Sequence, residues 1–318
     1  MDGNAAIFTE GLTKSYGRVL ALRGVDLEVR PGEIFGFLGP NGAGKTTTIR
    51  CLLDLIRPDA GTVRVLGLDP QQDPVAVRAR SGYLPGELHF DENMSVEGAL
   101  RYLNSLRNGK GDWNFVRQLA DRLGLSLRSA IKNLSKGNKQ KVGIVQALMH
   151  RPELLMLDEP TFGLDPLVQQ EVLRLIGEAR AEGATVFFSS HILSEVQEIA
   201  GRVGIIRKGL VVEVAETSSL INRSIRRARI RFLREVDPEP LVRVPGVQLL
   251  SRDDGRSILL QVSGEMDDLI KVLANYPVGD FETERPSLEE IFLAYYQDDG
   301  RQTGEPVVTP VLSGSTEE

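Results

Sequence analysis

The chain has little sulfur or imidazole chemistry to offer: one cysteine and three histidines in 318 residues. A lone cysteine excludes an internal disulfide and suits a reducing compartment. Cys51, inside "TIRCLLDLI", reads as a buried structural thiol rather than a reactive one. Long apolar runs are also missing. None approaches the ~18 residues that suggest a membrane-spanning helix, and the opening "MDGNAAIFTE" is acidic and lacks a signal-peptide core. The expectation is a cytoplasmic protein whose membrane role, where it has one, is played through a partner. A surplus of basic charge is absent too. The formal net charge of -6 counts against nucleic acid as the main partner, because phosphate-backbone binders carry a basic face. No internal repeat is visible.

What is present is a globular composition, 41% hydrophobic and 26% charged. The length suits a core domain of roughly 200 residues with a smaller one beside it. Residues 5 to 30 alternate in short bursts between glycines, which predicts short antiparallel strands. "EIFGFLG" (33 to 39), "ELLMLDEP" (153 to 160) and "TVFFSS" (185 to 190) are compact apolar runs, the signature of buried central strands. A helix is expected after the first run, ending near Ile56 before Pro58. From about 88 to 150 the pattern is helical, with Ser95 and Asp112 as N-caps and Gly124 as a stop. Asp165-Pro166 predicts the start of a helix that runs to Gly183, and another follows from about 191. "RVGIIRKGLVVEV" (202 to 214) reads as a hairpin around Lys208-Gly209. Beyond a boundary at 215 to 222, "RRARIRFLREV" alternates as a half-buried strand with a basic outer face. "RSILLQV", a "MDDLIKVLANY" helix and a "PSLEEIFLAYY" helix capped by Ser287 and Glu290 complete a small α/β unit. Residues 300–318 are polar and aperiodic, a disordered tail by composition.

Three stretches carry chemistry. "GPNGAGKTT" (39 to 47) fits G-x-x-x-x-G-K-[ST] between a predicted strand and a predicted helix. Gly42 and Gly44 let backbone N–H groups converge on phosphate oxygens at a helix N-terminus. Lys45 is placed to reach the β- and γ-phosphates, and Thr46 to offer its hydroxyl to Mg²⁺. "LLMLDEP" ends a buried strand in two carboxylates: Asp158 for the Mg²⁺ shell, Glu159 to polarise the attacking water. His191 follows a third buried strand and is expected to contact the γ-phosphate. A fourth stretch is odd. In "LSKGNKQK" (134 to 141), Ser135 suits a helix N-cap, yet Lys139 and Lys141 sit near the positive end of a helix dipole. A second anion-seeking helix end has no evident use in a chain that already holds a phosphate loop.

The order of phosphate loop, "LSKGNKQK", "LLMLDEP", "GLDP" and "SSH" resembles the ATP-binding subunit of an ABC transporter, over residues 5 to about 215. The resemblance implies further roles. Tyr16 in "KSYG" stacks on adenine; Gly39, Pro40, Asn41, Gly42, Ala43, Gly44, Lys45, Thr46 and Thr47 cradle the phosphates. Ser135 and Gly137 match the signature motif, Asp165 the D-loop, His191 the switch histidine. It also implies a homodimer closed head to tail over ATP, each signature helix serving its partner's nucleotide, which gives the second helix end a purpose. Lys136 and Asn138 depart from the commoner LSGGQ form. "GYLPGE" (82 to 87), "GLDP" and "PSLEEIFLAYY" narrow the likeness to bacterial ABC-2-type exporters. In "GYLPGE", Gly86 stands where many family members carry a glutamine. Either Glu87 turns inward as a replacement, or Gly86 leaves room for water at the metal while Glu87 faces the permease. The second is preferred, because it adds no further anion beside Asp158, Glu159 and the phosphate.

The expected fold is α/β: a P-loop ABC ATPase domain over 1–215, with a mixed sheet core, antiparallel β and a helical subdomain at about 88–150. A small C-terminal α/β domain over 216–299 and the tail follow. The expected function is ATP hydrolysis with Mg²⁺, on a separate membrane permease at the cytoplasmic face of the membrane, driving export of a hydrophobic or amphiphilic compound. A soluble ABC ATPase acting on nucleic acid or ribosomes is the other class. Such proteins carry long insertions or two ATPase halves, whereas Leu134 comes only about 47 residues after Glu87 and there is one phosphate loop. An ATP-binding module without turnover predicts a lost Glu159 or Lys45, and both are present. The arginines of 223 to 234 suit a solvated strand face better than an acidic partner or lipid headgroups.

Overall fold

The computed structural model describes residues 5–107, 109, 111–222, 226–263 and 266–284, and the chain divides into two units after Thr217. The first unit opens with β1 (Ile7–Tyr16) and β2 (Val19–Val29), paired antiparallel from Ile7↔Val29 to Tyr16↔Val19. These are two long strands rather than short bursts. Register shifts, one of them between Thr9 and Leu12, absorb the interruption at Gly11 that breaks the pattern in sequence. β3 (Ile34–Leu38) is buried at every position. Helix α1 (Lys45–Leu52) ends short of the expected Ile56. Asp54 turns left-handed at φ 50, and the N–H groups of Leu55 and Ile56 both donate to Arg50 O. The chain has already turned before Pro58 arrives.

β4 (Ala60–Val65) joins β1 to complete a three-stranded sheet ordered β2-β1-β4. α2 (Pro74–Arg80) and β5 (Ser81–Leu84) follow, then α3 (Val96–Ser105) and α4 (Trp113–Arg122). Ser95 and Asp112 cap these two helices through their side chains, as the sequence suggests. A 3₁₀ turn at Ile131–Asn133 leads to α5 (Lys136–Leu148), capped by Ser135 accepting from Asn138 N–H at 3.2 Å. β6 (Leu154–Asp158), α6 (Pro166–Ala181), β7 (Thr185–Ser190) and α7 (Leu193–Ile199) alternate next. β8 (Arg202–Arg207) and β9 (Leu210–Glu216) form the expected hairpin, with Lys208 and Gly209 both at positive φ as a type I′ turn requires. The second sheet runs β5-β6-β7-β3-β8-β9, parallel except for β9. Its middle strands β6, β7 and β3 are buried throughout, which is why they read as continuous apolar runs. Phe187 stacks on Phe35 at 5.9 Å and tilts against Phe37 at 5.2 Å in the core beneath.

His150 fastens the end of α5 to β5. Its Nε2 lies 3.2 Å from Ser81 O, so Nε2 carries the proton, and Nδ1 is buried without a partner. Burial, with the nearby Arg107 guanidinium adding to it, pushes this imidazole down to about 4. An unfolded chain binds a proton here at about 6.5 while the folded chain refuses it, so stability falls as pH drops from about 6.5 to about 4. Discounting for partial exposure leaves on the order of 1–2 kcal/mol. His150→Gln should therefore lose about 2–4 °C less melting temperature than wild type between about pH 7 and about pH 4.5. Parallel melting curves for the two proteins would contradict this.

The second unit contains α8 (Thr217–Asn222) at the division, then β10 (Arg226–Phe232), α9 (Glu239–Val242), β11 (Val247–Asp253), β12 (Ser257–Val262), α10 (Asp267–Leu273) and β13 (Val278–Glu284). Its antiparallel sheet is ordered β11-β12-β10-β13 over a separate core that includes Ile230, Phe232, Leu260 and Leu269. The basic strand β10 is as exposed on one face as expected, and the sheet supplies its counter-charges. Arg229 lies opposite Glu282 and Arg231 opposite Asp280 on β13, all four exposed. Cross-strand opposite charges of this kind stabilise a sheet by roughly 0.2–1 kcal/mol per pair. Neither an acidic partner nor lipid headgroups are needed to explain the arginines. The "PSLEEIFLAYY" helix, with Ser287 and Glu290, and the tail 300–318 lie outside the described residues.

Candidate functional site

Parallel pairing sets three strand ends side by side. Asp158 of β6 lies opposite Ser189 of β7, and Leu38 of β3 opposite Ser190. The glycine-rich loop after β3, the carboxylates that end β6 and the histidine after β7 therefore share one sheet edge, where open α/β sheets bind ligands.

The loop leads into α1 with Gly44 as N-cap at φ 115 and no side-chain cap, unlike α3, α4, α5 and α6. The first-turn N–H groups of α1 are thus left for an anion. A Cβ on Gly44 would meet Leu22 Cδ2 at 2.8 Å and Ala21 O at 2.9 Å, so the position needs glycine for space as well as for its backbone angle. Lys45 is buried at 5% exposure and folds back on the loop. Its Nζ donates to Gly39 O at 2.5 Å and Pro40 O at 3.2 Å, and lies 3.0 Å from Glu159 Oε1. Thr46 Oγ1 donates to Asp158 Oδ2 at 2.6 Å, and Ser189 Oγ donates to Oδ1 at 2.6 Å. Asp158 itself has no exposure to solvent.

Glu159 sits in the left-handed region at φ 53, costly for a residue with a Cβ. Its surroundings hold it there. Its N–H donates to Ser189 O and Oγ, and its carbonyl accepts from Gln140 Nε2 at 3.1 Å. Oε2 lies 2.6 Å from His191 Nδ1; a carboxylate only accepts, so Nδ1 carries the proton. Lys45, Glu159 and His191 thus form a chain beside the Thr46–Asp158 pair.

Thr46, Asp158, Glu159 and His191 line a cleft of about 380 Å³ together with Asn41, Gly86 and Glu87. Arg50 and Phe162 line it too. Outside the phosphate loop, four predicted site residues do not. Tyr16 is half-exposed at the end of β1. Ser135 and Asp165 are exposed caps of α5 and α6, and Gly137 packs so closely that a Cβ would stand 2.8 Å from Gly163 O. Two cations of the "LSKGNKQK" helix start have partners: Lys136 Nζ lies 4.3 Å above the Phe162 ring, and Lys139 Nζ lies 3.3 Å from Glu92. Cys51 is buried, its thiol pushed up to about 12 by burial, and is inert. Sequence reasoning missed Gln140, Ser189, Arg50 and Phe162. Gln140 lies inside "LSKGNKQK" and Ser189 inside "SSH", though neither was given a role there; nothing in the sequence marked Arg50 or Phe162.

Residues 22–162 match the ABC transporter family, and residues 217–296 match the C-terminal domain of DrrA1-3-like ATP-binding proteins. Over 314 residues the chain is 32% identical to the daunorubicin resistance ATP-binding protein DrrA3 of Streptomyces coeruleorubidus, covering 94% of this chain and 98% of that one. This chain belongs to the ABC transporter ATP-binding family. The ATPase is also 40% identical over 210 residues to the bacitracin transport ATP-binding protein BcrA of Bacillus licheniformis, covering 65% and 68% of the two chains. A solved ATP-binding subunit of an ABC transporter superposes with a TM-score of 0.61 at 30% identity, covering 68% of the ATPase and 91% of that chain. A dimeric bacterial ABC transporter cassette, MJ0796, shares the fold at a TM-score of 0.59 and 21% identity, covering 66% and 98%. The chain is an ABC ATPase: it binds ATP and hydrolyses it in the α/β fold of that family.

Proposed function

We propose that this ABC ATPase drives export of a hydrophobic or amphiphilic compound, working as a pair on a separate permease at the cytoplasmic face of a membrane. Its relatives support this reading, being named for bacitracin transport and for daunorubicin, doxorubicin and linearmycin resistance. No helix among the described residues is long and apolar enough to cross a membrane, and the proposal gives that task to the permease.

The observation that carries the chemistry is the chain Lys45–Glu159–His191 beside the Thr46–Asp158 pair. Phosphates arriving at the α1 N-terminus compete for Lys45, drawing Nζ off Glu159 Oε1. That oxygen then accepts a hydrogen bond from the attacking water, while His191 Nδ1–H keeps Oε2 in place. Asn41 and the glycines wrap the phosphates, with Ala43 and Thr47 in the same turn. Tyr16 stacks on adenine, and Ser135, Gly137 and Asp165 close over the nucleotide of the partner copy.

The site fits Mg²⁺. Thr46 and Asp158 supply hard oxygen donors, and no group of three or more His, Cys, Asp or Glu forms a protein cage among the described residues. Two protein donors completed by phosphate oxygens and water are what Mg²⁺ takes in nucleotide sites. An ion held by Thr46 and Asp158 would supply positive charge against the phosphate oxygens. A Cβ on Gly86 would stand 3.0 Å from Asp158 Oδ2, so glycine keeps the space beside this carboxylate open. Gly86→Ala should raise the Mg²⁺ concentration for half-maximal activity by about 3–10-fold, because two hydrogen bonds prevent Asp158 from moving aside. An unchanged Mg²⁺ requirement would remove Gly86 from the account.

The transport assignment is tested by recovery of the tagged ATPase from detergent-solubilised membranes. A polytopic membrane protein in about equal amount is expected. Recovery with ribosomes or nucleic acid would favour the soluble class instead.

A further inference from the structure

Glu195 is a buried carboxylate, 6% exposed, that the mechanism above leaves unused. Its Oε1 accepts from the Thr161 hydroxyl and its Oε2 from Ser190 Oγ at 2.7 Å. Ser190 Oγ accepts in turn from Ile192 N–H at 2.9 Å. Both hydroxyl residues are buried, Thr161 at 2% and Ser190 at 0% exposure. Their places in the chain give the contact its meaning. Thr161 lies two residues after Glu159, and Ser190 immediately precedes His191. One carboxylate therefore ties the segment leaving Glu159 to the segment entering His191.

The helix that carries Glu195 is firmly seated. Val196 is fully buried, and α7 approaches β3 so closely that a Cβ on Gly36 would stand 2.5 Å from Val196 Cγ1. Glu195 is thus fixed from behind while its two oxygens hold two loops in front. Glu159 gains particular benefit from such a hold, since it occupies a left-handed backbone conformation.

We propose that Glu195 is a positioning residue for hydrolysis: it sets the Glu159–His191 contact without touching the nucleotide. The inference rests on the assignment of Glu159 and His191 as catalytic groups. Removing the carboxylate leaves two buried hydroxyls without their acceptor and lets the two loops drift independently. Misplacement of a catalytic group by about 1 Å costs about 10²-fold in rate, whereas the phosphate cradle at α1 is untouched.

The test uses the purified full-length chain and compares Glu195→Ala, Glu195→Gln, Thr161→Val and Glu159→Gln. Glu195→Ala should lower kcat about 20–100-fold, with KM and the affinity for a fluorescent ATP analogue within about threefold of wild type. Glu195→Gln can accept from one hydroxyl and donate to the other, and should restore kcat to within about fivefold. A merely structural role would move affinity and kcat together and would not show that rescue. Should Glu195→Ala fail to fold, Thr161→Val removes one tie and keeps the shape; its kcat should fall about 3–10-fold at unchanged affinity. Turnover within about twofold of wild type in the folded variants overturns the inference, as does a joint loss of kcat and affinity. If Glu159→Gln keeps its turnover, the catalytic assignment fails first. If Glu159→Gln is inactive while Glu195→Ala is not, only the positioning role fails.

Discussion

Glu159→Gln should bind ATP as wild type does and hydrolyse it about 10² to 10⁴ times more slowly. The substitution preserves length and shape, so the strained backbone and its ties to Ser189 and Gln140 persist. What it removes is charge at Oε1, the oxygen 3.0 Å from Lys45 Nζ that the mechanism assigns to the attacking water. Lys45 keeps its contacts with Gly39 O and Pro40 O and stays available to phosphate, which is why affinity is spared. The loss corresponds to about 3–5 kcal/mol of barrier. Phosphate release measured beside equilibrium nucleotide binding separates the two effects. Turnover within about threefold of wild type would remove Glu159 from the catalytic role.

A second large effect is expected from mixing two inactive proteins. Lys45→Ala damages the phosphate loop and leaves the α5 N-terminus intact; Ser135→Arg does the reverse. If ATP is held between two copies, each homodimer has two damaged sites. A heterodimer has one site intact and one doubly damaged. The mixture should therefore regain hydrolysis that neither variant shows alone, up to about a quarter of wild type when half the pairs are mixed and sites act independently. Strict coupling between the two sites would lower that recovery, but ATP-dependent crosslinking should still favour the mixed pair. Equal failure of all three pairings in both assays would argue against a site shared between copies. The placement of Ser135, Gly137 and Asp165 outside the chain's own cleft is what motivates the experiment.

Legibility in the sequence followed the range of the interactions. The phosphate loop, the paired carboxylates and the three buried strands were readable because glycine spacing and apolar runs are local features. So were the starts of α3, α4, α5 and α6, each set by a side chain that caps within three residues. α2 was not, because only Val77 of its seven residues is buried and no helical period develops. β11 and β13 were missed for a related reason: both are largely exposed and lack alternation, and β13 carries the acids that answer the arginines of β10. In the site, Gln140 reaches Glu159 across 19 residues, Ser189 reaches Asp158 across 31 and Thr161 reaches Glu195 across 34. Such partners are fixed by the order of strands in the sheet, which no local pattern records.

The pairing of two copies around ATP is the claim on which the signature helix, the phosphate loop and hydrolysis all depend. Sedimentation of the Glu159→Gln protein with and without Mg²⁺ and ATP tests it most directly, because the bound nucleotide then persists. Monomer mass is expected without ATP and dimer mass with it, lost again when Ser135→Arg is added to the same chain. A protein that binds ATP fully and still sediments as a monomer would contradict it.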